Sequence, residues 1–237
     1  MATLTRRGSG GPPSADTFAG DITTGEGLEQ ALAGVDCVID CANRATASAK
    51  AAVSYFTETT RRLGRLGAAA GVTHHVVLSI VSLEQVPFGY YQGKAAQERT
   101  ALAGPVPATV LRAAQFHEFA GQILGQMKLG RLSVVPKMLI QPIAVAEVAV
   151  ALAEAAEAGP AGRAPDIAGP GRQWLPDMAR KLLRHTGRRG RVVAVRLPGA
   201  TGRAMAGGGQ LPGPSAMRRG PSFEEWLRRQ PSTAKAR

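Results

Sequence analysis

Short apolar runs alternate with helical segments through the first two thirds of this chain of 237 residues. The runs at residues 35–42, 74–82 and 108–113 are nearly continuous, which is typical of parallel strands covered on both faces. The segments at residues 51–70 and 90–103 carry apolar positions at helical spacing. Because strands that alternate with such helices form right-handed crossovers, the pattern predicts an α/β fold with a doubly wound parallel sheet.

The remaining segments predict a smaller lobe after the sheet. Further helices are predicted at residues 24–33, 115–129, 142–158 and 175–185 and at the terminal FEEWLRRQ, and strands at residues 2–5 and 192–197. Residues 8–14 and 199–214 are rich in Gly, Pro or Ser and are predicted as loops. We therefore predict a sheet domain over residues 1–140 and a C-terminal α+β lobe over residues 141–237, packed on the edge of the sheet.

The basic composition raises the question of a nucleic-acid partner. The formal net charge is +12, and most of the excess falls after residue 150. The basic residues there are scattered, with almost no aromatic residues between them that could stack on bases. The composition therefore favours an ordinary basic surface that could meet acidic partners or anionic cofactors. No specific nucleic-acid partner is expected.

The sequence predicts a cytoplasmic protein with no membrane partner. No apolar run approaches the roughly 18 to 20 residues of a membrane helix, and the N-terminus lacks the apolar core of a secretory signal. Cys37 and Cys41 lie on one predicted strand, and both are predicted to be reduced and buried. His74 and His75 should point to opposite faces of a strand, so no metal site is expected.

The most specific local pattern is a tyrosine and a lysine four residues apart, downstream of a strand-terminal serine. Tyr90 and Lys94 would project from one face of a helix, and Ser79 lies near the end of the preceding strand. In this arrangement the phenol can donate a proton to a carbonyl, the lysine can lower the pKa of the phenol, and the serine can hold the carbonyl. The alternative is structural, with Tyr90 packing the helix and Lys94 in solvent.

The chain resembles the NmrA-like branch of the short-chain dehydrogenase/reductases in six segments that span nearly its whole length. These are GDITTGEGLEQALAGVDCVIDCAN, AAAGVTHHVVLSIVS, YYQGKAAQE, ATVLRAAQFHEFA, QPIAVAEVAVALAEA and the terminal FEEWL. The resemblance implies a Rossmann-like fold in which residues 1–140 bind NAD(P) and the C-terminal lobe contributes to the substrate site. It places Ser79, Tyr90 and Lys94 at the Ser-Tyr-Lys positions of the family.

The same resemblance implies which residues contact the cofactor and the substrate. Arg6 and Arg7 would meet a 2′-phosphate, which favours NADP(H) over NAD(H). The other contacts would follow successive strands: Asp21 and Ile22 at the adenine, Ala42 and Asn43 along the cofactor, Lys94 at the ribose, Gln115 and Phe116 near the nicotinamide, and His117 and Phe119 toward the substrate.

One expected feature of the family is missing from the sequence. Such proteins begin with a strand and a GxxGxxG turn whose backbone N–H groups hold the pyrophosphate. Neither the glycines at residues 8–11 nor those at 207–209 follow a strand in the required way. The expectation is therefore a Rossmann-like sheet without its first, central strand. Either the physiological chain starts upstream of Met1, or this is a shortened relative with impaired binding.

Three functions follow from these patterns. The first is an NAD(P)H-dependent oxidoreductase that reduces a small carbonyl or quinone-like acceptor, with Tyr90 as the acid. The second is a non-catalytic NAD(P)-binding redox sensor. The third is a basic nucleic-acid binder, for which only weak, non-specific binding is expected. The partners expected are a small-molecule substrate and either a second copy of the chain or another protein.

Overall fold

A mostly parallel sheet and the helices between its strands form the framework of the protein. The computed structural model describes residues 1–9 and 14–232, so most of the loop predicted at residues 8–14 lies outside the described residues. In chain order the strands are β1 (Ala2–Thr5), β2 (Asp16–Ala19), β3 (Cys37–Asp40), β4 (His74–Ile80), β5 (Ala108–Ala113), β6 (Lys128–Leu129), β7 (Leu132–Pro136), β8 (Leu139–Ile140), β9 (Gly162–Arg163), β10 (Ile167–Ala168), β11 (Gln173–Trp174), β12 (Arg191–Val195) and β13 (Met217–Arg218).

The helices connect these strands. They are α1 (Leu28–Leu32), α2 (Ala49–Ala69), α3 (Gly89–Leu102), α4 (Phe119–Gln126), α5 (Val145–Ala158), α6 (Leu175–His185), α7 (Gly199–Ala206) and α8 (Phe223–Arg228), with a short 3₁₀ helix at Leu83–Gln85. Within the described ranges, none of these helices combines the length and the apolarity that a bilayer crossing requires.

The chain forms two compact units, each assembled from separate stretches of sequence. The first unit contains Met1–Ser79, Phe88–Leu111 and Leu152–Ala164. The second contains Ile80–Pro87, Arg112–Ala151 and the described part of Pro165–Arg237.

The first unit holds a parallel ladder in which β4 lies between β3 and β5, and β9 pairs with β5. Cys37 of β3 lies opposite His74 of β4, and the register continues to Asp40 and Val77. Strand β4 is buried along almost its whole length, as expected for a central strand covered on both faces. Strands β1 and β2 form a separate two-stranded parallel sheet.

Helices α2 and α3 pack against each other at a glycine. A Cβ atom at Gly93 of α3 would lie 2.6 Å from the Cβ of Ala52 and 2.8 Å from the ring of Phe56, both on α2. Ser48 caps α2 by accepting a hydrogen bond from the backbone N–H of Ala51. The absence of a side chain at position 93 therefore sets the close approach of the two helices.

Strand β3 is less covered than the sequence predicts. In the described part of the chain it pairs with β4 alone, and Ile39 in its middle is 42% exposed. Neither Cys37 nor Cys41 forms a disulfide among the described residues; Cys37 is half-buried and Cys41 is exposed. The prediction that both are buried is wrong, because a strand with one neighbour leaves more of its side chains open to solvent.

The second unit contains three sets of paired strands. Ile167 of β10 pairs with Ala113 at the end of β5, and β13 continues this ladder in parallel. Strand β7 pairs in parallel with β12 and antiparallel with β6, while β8 pairs antiparallel with β11. Helix α8 begins with a capping box in which Ser222 and Glu225 bond to each other's backbone N–H groups.

The α/β fold with a parallel sheet is confirmed, and several helices lie close to their predicted bounds. Helix α6 has the predicted bounds, and α2 and α3 each differ from theirs by one or two residues. The helix predicted at residues 115–129 is too long at both ends, because α4 covers only Phe119–Gln126. The chain instead turns at Gly130, whose φ of 59° suits a left-handed position, into the hairpin of β6 and β7.

Two other segments also differ from their predicted secondary structure. The helix predicted at residues 24–33 shortens to the five residues of α1. Part of the loop predicted at residues 199–214 is the helix α7. Glycine argues against a helix by propensity, yet a Cβ at Gly202 would lie 1.7 Å from the carbonyl oxygen of Leu197. Close packing therefore requires glycine at this position.

Candidate active site

Tyr90 lies in the first turn of α3, beside the loop that follows β3. Its hydroxyl donates a hydrogen bond to Oδ1 of Asn43 at 2.9 Å, and its ring packs edge-to-face on Phe56. Burial raises the pKa of Tyr90 to about 12, and the bond to Asn43 acts in the opposite direction. The structure thus brings together two residues that were predicted separately, one as the acid and one as a cofactor contact.

Lys94 is one turn further along α3 and is 5% exposed. Its Nζ donates to the carbonyl oxygen of Leu78 at 2.7 Å and to Oε1 of Gln97, and it lies 4.9 Å from the ring centre of Phe56. Burial lowers the pKa of Lys94 to about 8, against the opposing charges of nearby carboxylates. The alternative of a solvated lysine is therefore wrong. Both hydrogen bonds go to groups other than the Tyr90 phenol.

The buried carboxylate of Asp40 is connected to Lys94 through the side chain of Gln97. Oδ1 of Asp40 accepts from the backbone N–H of Ala42 at 2.9 Å, and its Oδ2 accepts from Nε2 of Gln97 at 2.9 Å. Burial alone would raise the pKa of Asp40, but His75, the N–H of Ala42 and the charge of Lys94 together hold it below its usual value. The carboxylate therefore stays charged and balances the buried ammonium group.

Ser79 belongs to a neighbouring group of hydrogen-bonded side chains that includes Glu98 and Arg163. Its hydroxyl donates to Oε1 of Glu98 at 2.5 Å, and Oε2 of Glu98 accepts from Nη1 of Arg163 at 2.8 Å. Glu98 is 1% exposed, whereas the arginine side chain is half in solvent. The proton of the Ser79 hydroxyl is thus directed at α3 in this structure.

The roles of Asp40, Gln97 and Glu98 were not identified from the sequence. A signal was present, because Lys94, Gln97 and Glu98 occupy helix positions i, i+3 and i+4 and so share one face of α3. A polar face of this kind on a helix that packs against a buried strand requires partners, and these are provided at the ends of β3 and β4.

The residues predicted to contact the adenosine end follow two paired parallel strands: Asp21 and Ile22 come after β2, and Arg6 and Arg7 come after β1. Arg6 and Arg7 are exposed. Oδ1 of Asp21 accepts from the backbone N–H and the hydroxyl of Thr23, and these bonds lower its pKa, with smaller contributions from the charges of Arg6 and Arg62. The carbonyl of Ile22 accepts from Arg62 at 3.0 Å.

The remaining predicted residues lie in the second unit. Phe116 forms a parallel bridge with Ile143. The backbone N–H of His117 donates to the carbonyl of Ile143, and the N–H of Ile143 donates to the carbonyl of Gln115. His117 is fully buried, its Nε2 lies 3.2 Å from the carbonyl oxygen of Pro221, and burial lowers its pKa. Phe119 begins α4 and is half-buried. The structure places His117 among aromatic rings of α8, those of Phe223 and Trp226.

The two adjacent histidines of β4 have different surroundings, as predicted. Nε2 of His74 lies 2.8 Å from the hydroxyl of Thr109, whereas His75 faces Asp40. Within the described residues, no group of three or more His, Cys, Asp or Glu side chains could hold a metal ion.

The buried lysine makes stability depend on pH. Between the folded pKa of Lys94 near 8 and its ordinary value of 10.5, the unfolded chain binds a proton that the folded chain has released. The free energy of unfolding is therefore expected to rise with pH across this window, by at most about 3 kcal/mol. Urea denaturation between pH 7.5 and 10 measures the rise. Lys94→Met should remove it and Lys50→Met, at an exposed position of α2, should keep it; equal slopes in the two variants would contradict the assignment.

No protein-family model and no curated protein matches the chain. Solved structures do match it. The complex of MoeE5 with UDP-glucuronic acid and NAD superposes with a TM-score of 0.68 at 18% identity, over 97% of this chain and 88% of that one. The fold is therefore Rossmann-like.

Other solved structures agree with this fold. NADPH-dependent quinone oxidoreductase QOR2 from Escherichia coli, complexed with NADPH, superposes with a TM-score of 0.65 at 18% identity, over 90% of this chain and 83% of that one. For gox2253 the TM-score is 0.59 at 20% identity over 76% of this chain, which spans 64% of the length of gox2253.

Several exposed polar residues lie at the ends of parallel strands. Arg6 and Arg7 after β1 and Asn43 after β3 are exposed at the carboxyl ends of parallel strands, where Rossmann-like folds bind ligands. Lys94 and Ser79 are already bonded to protein groups and would have to exchange partners to reach a ligand.

Proposed function

We propose that the protein is a cytoplasmic NAD(P)H-dependent oxidoreductase of the NmrA-like short-chain dehydrogenase/reductase type. Its substrate would be a small carbonyl or quinone-like acceptor. The observation that carries the proposal is the pair of Tyr90 and Asn43, held at the carboxyl end of β3 one helical turn from the buried Lys94. The quinone oxidoreductase and NAD complexes among the similar structures support the cofactor class.

In this proposal each residue has a separate role. Bound NAD(P)H supplies the hydride that reduces the acceptor carbon. Tyr90 donates its phenolic proton to the acceptor oxygen, and its raised pKa keeps that proton in place at neutral pH. Lys94 provides a positive charge one turn away that favours the developing phenolate. Ser79 can hold the acceptor only after its hydroxyl leaves Glu98.

A second function is favoured by the same hydrogen bond. Because the hydroxyl of Ser79 bonds to Glu98, a chain that binds the dinucleotide without turnover would need no rearrangement of this serine. This second function is the redox sensor, which would report the redox state of the bound dinucleotide to a protein partner or to a second copy of the chain. Binding of one redox form in preference to the other, with no turnover on a panel of aldehydes, ketones and quinones, would favour it.

Titration with NADPH and NADH tests the proposed cofactor. NADPH is expected to bind more tightly, because Arg6 and Arg7 can pair with the 2′-phosphate. The double variant Arg6→Ser/Arg7→Ser should weaken NADPH binding by roughly tenfold and leave NADH binding almost unchanged. Nicotinamide fluorescence measures both affinities.

Arg65→Ser is the matched control, since Arg65 is an exposed arginine on α2 outside the proposed site. If neither dinucleotide binds with saturation, the proposed function is wrong. If both bind equally in the wild-type chain, only the preference for NADP(H) is wrong.

A further inference from the structure

A cavity of about 490 Å³ opens between α2 and α3 in the first unit, away from Tyr90 and Asn43. Its walls come from one face of α2, the second half of α3 and the loop before β5, and His75 of β4 lies among its lining residues. A volume of this size is in the range of small-molecule sites. The polar residues that matter for its chemistry are Thr57, Thr60, Arg61, His75, Arg99 and Thr100.

Two buried polar atoms in the lining have no hydrogen-bond partner among the described residues. They are the hydroxyl oxygen of Thr60 and Nε2 of His75, on side chains of residues that are 2% and 3% exposed. Oδ2 of Asp40 lies 3.8 Å from the same imidazole nitrogen, which is within ion-pair range but beyond hydrogen-bond length, so Nε2 still lacks a hydrogen bond. Native proteins rarely leave such groups unsatisfied, so this pair points to a molecule that bonds to them.

The outer part of the cavity carries positive charge. Arg61 of α2 and Arg99 of α3 are exposed, and neither forms an ion pair within the described ranges. None of the described residues that line the cavity is acidic. Guanidinium groups bind carboxylates and phosphates through paired hydrogen bonds, so two of them without acidic neighbours suit an oxyanion.

We propose that this cavity is a second ligand site, separate from the dinucleotide site, for a small molecule that carries a carboxylate or phosphate group. The anionic group meets Arg61 and Arg99. An uncharged polar part of the same molecule reaches Thr60 and His75, and the apolar side chains of Val53 and Val106 line the remaining wall.

Binding of inorganic phosphate and of malonate to the full chain tests the proposal. Backbone amide NMR shifts are followed during each titration at constant ionic strength set with sodium chloride. Saturable shifts confined to residues around the cavity are expected for at least one probe. Phosphate alone would identify a phosphate site, malonate alone an organic-acid site, and both a general oxyanion site.

Variants separate this site from general attraction to a basic protein. Arg61→Gln/Arg99→Gln should weaken binding by roughly tenfold or more. Arg65→Gln removes an arginine that lies on α2 outside the cavity and should leave binding within about twofold. Thr60→Val preserves the shape of the side chain and removes its hydroxyl, so it tests the site even if the double arginine variant does not fold. This variant should weaken the binding of a hydroxylated acid such as malate more than the binding of malonate.

Three results would overturn the proposal. One is the absence of saturable binding for both probes, and another is an equal loss in the Arg65→Gln and Arg61→Gln/Arg99→Gln variants. The third is a concentration-dependent dimer, seen by sedimentation, that protects the amides around this cavity from exchange, because the face would then be covered by a second copy.

Discussion

Tyr90→Phe is expected to lower the turnover of NADPH-dependent reduction by roughly 10²- to 10⁴-fold, the range typical of a positioned general acid. The substitution removes the phenolic proton and the bond to Asn43, while the ring can keep its edge-to-face contact with Phe56. Binding of the dinucleotide should therefore change little, and the loss should appear in kcat.

Steady-state oxidation of NADPH with a quinone or aldehyde acceptor measures the effect. Tyr91→Phe is the matched control, because Tyr91 is the next residue of α3 and its ring packs against Phe88, the residue that precedes the helix. Comparable turnover in the wild-type and Tyr90→Phe proteins would exclude Tyr90 as the acid. Tight binding with no turnover in the wild-type protein would instead favour the sensor.

Removal of the Asp40 carboxylate is expected to destabilise the fold by about 3–5 kcal/mol, as for a buried pair that loses one partner. Asp40→Ala leaves the buried ammonium of Lys94 without its balancing charge and frees the Gln97 amide and the Ala42 N–H. Because the pKa of Asp40 is held below its usual value, its stabilising effect is present above the ordinary aspartate pKa and is lost as the pH falls through the folded value.

Urea denaturation at pH 7 measures this loss. Asp36→Ala is the control, since Asp36 is an exposed acid just before the same strand and its removal should change the free energy of unfolding by less than about 0.5 kcal/mol. Asp40→Asn should have an intermediate effect, because the amide keeps one acceptor oxygen but not the charge. Equal stabilities of the Asp36→Ala and Asp40→Ala proteins would show that Lys94 does not depend on this carboxylate.

The sequence predicts elements well where the pattern is local. The β5 strand over Ala108–Ala113 and the helix α6 have the predicted bounds, because each follows from a short run of residues with one period. The hairpin of β6 and β7 and the helix α7 could not be predicted in this way. They depend on a turn at Gly130 and on close packing at Gly202, where distant contacts override local propensity.

The candidate site shows the same division. Helical spacing predicts that Tyr90 and Lys94 share a face of α3, and the structure agrees with both lying on that helix. Spacing does not show which part of that face is buried. The burial of Lys94 depends on Leu78, Gln97 and Asp40, which come from three different elements, so only the tertiary arrangement brings these groups together.

The contact at Gly93 has a consequence for how this chain can change during evolution. Position 93 lies inside the Tyr90–Lys94 interval, where α3 meets Ala52 and Phe56 of α2 without room for a methyl group. Even alanine would push the helices apart and shift the tyrosine and the lysine relative to the end of β3. Substitution of Gly93 is therefore excluded in any related chain that keeps the present spacing of α2 and α3. The neighbouring residue Gln92 is exposed and can vary.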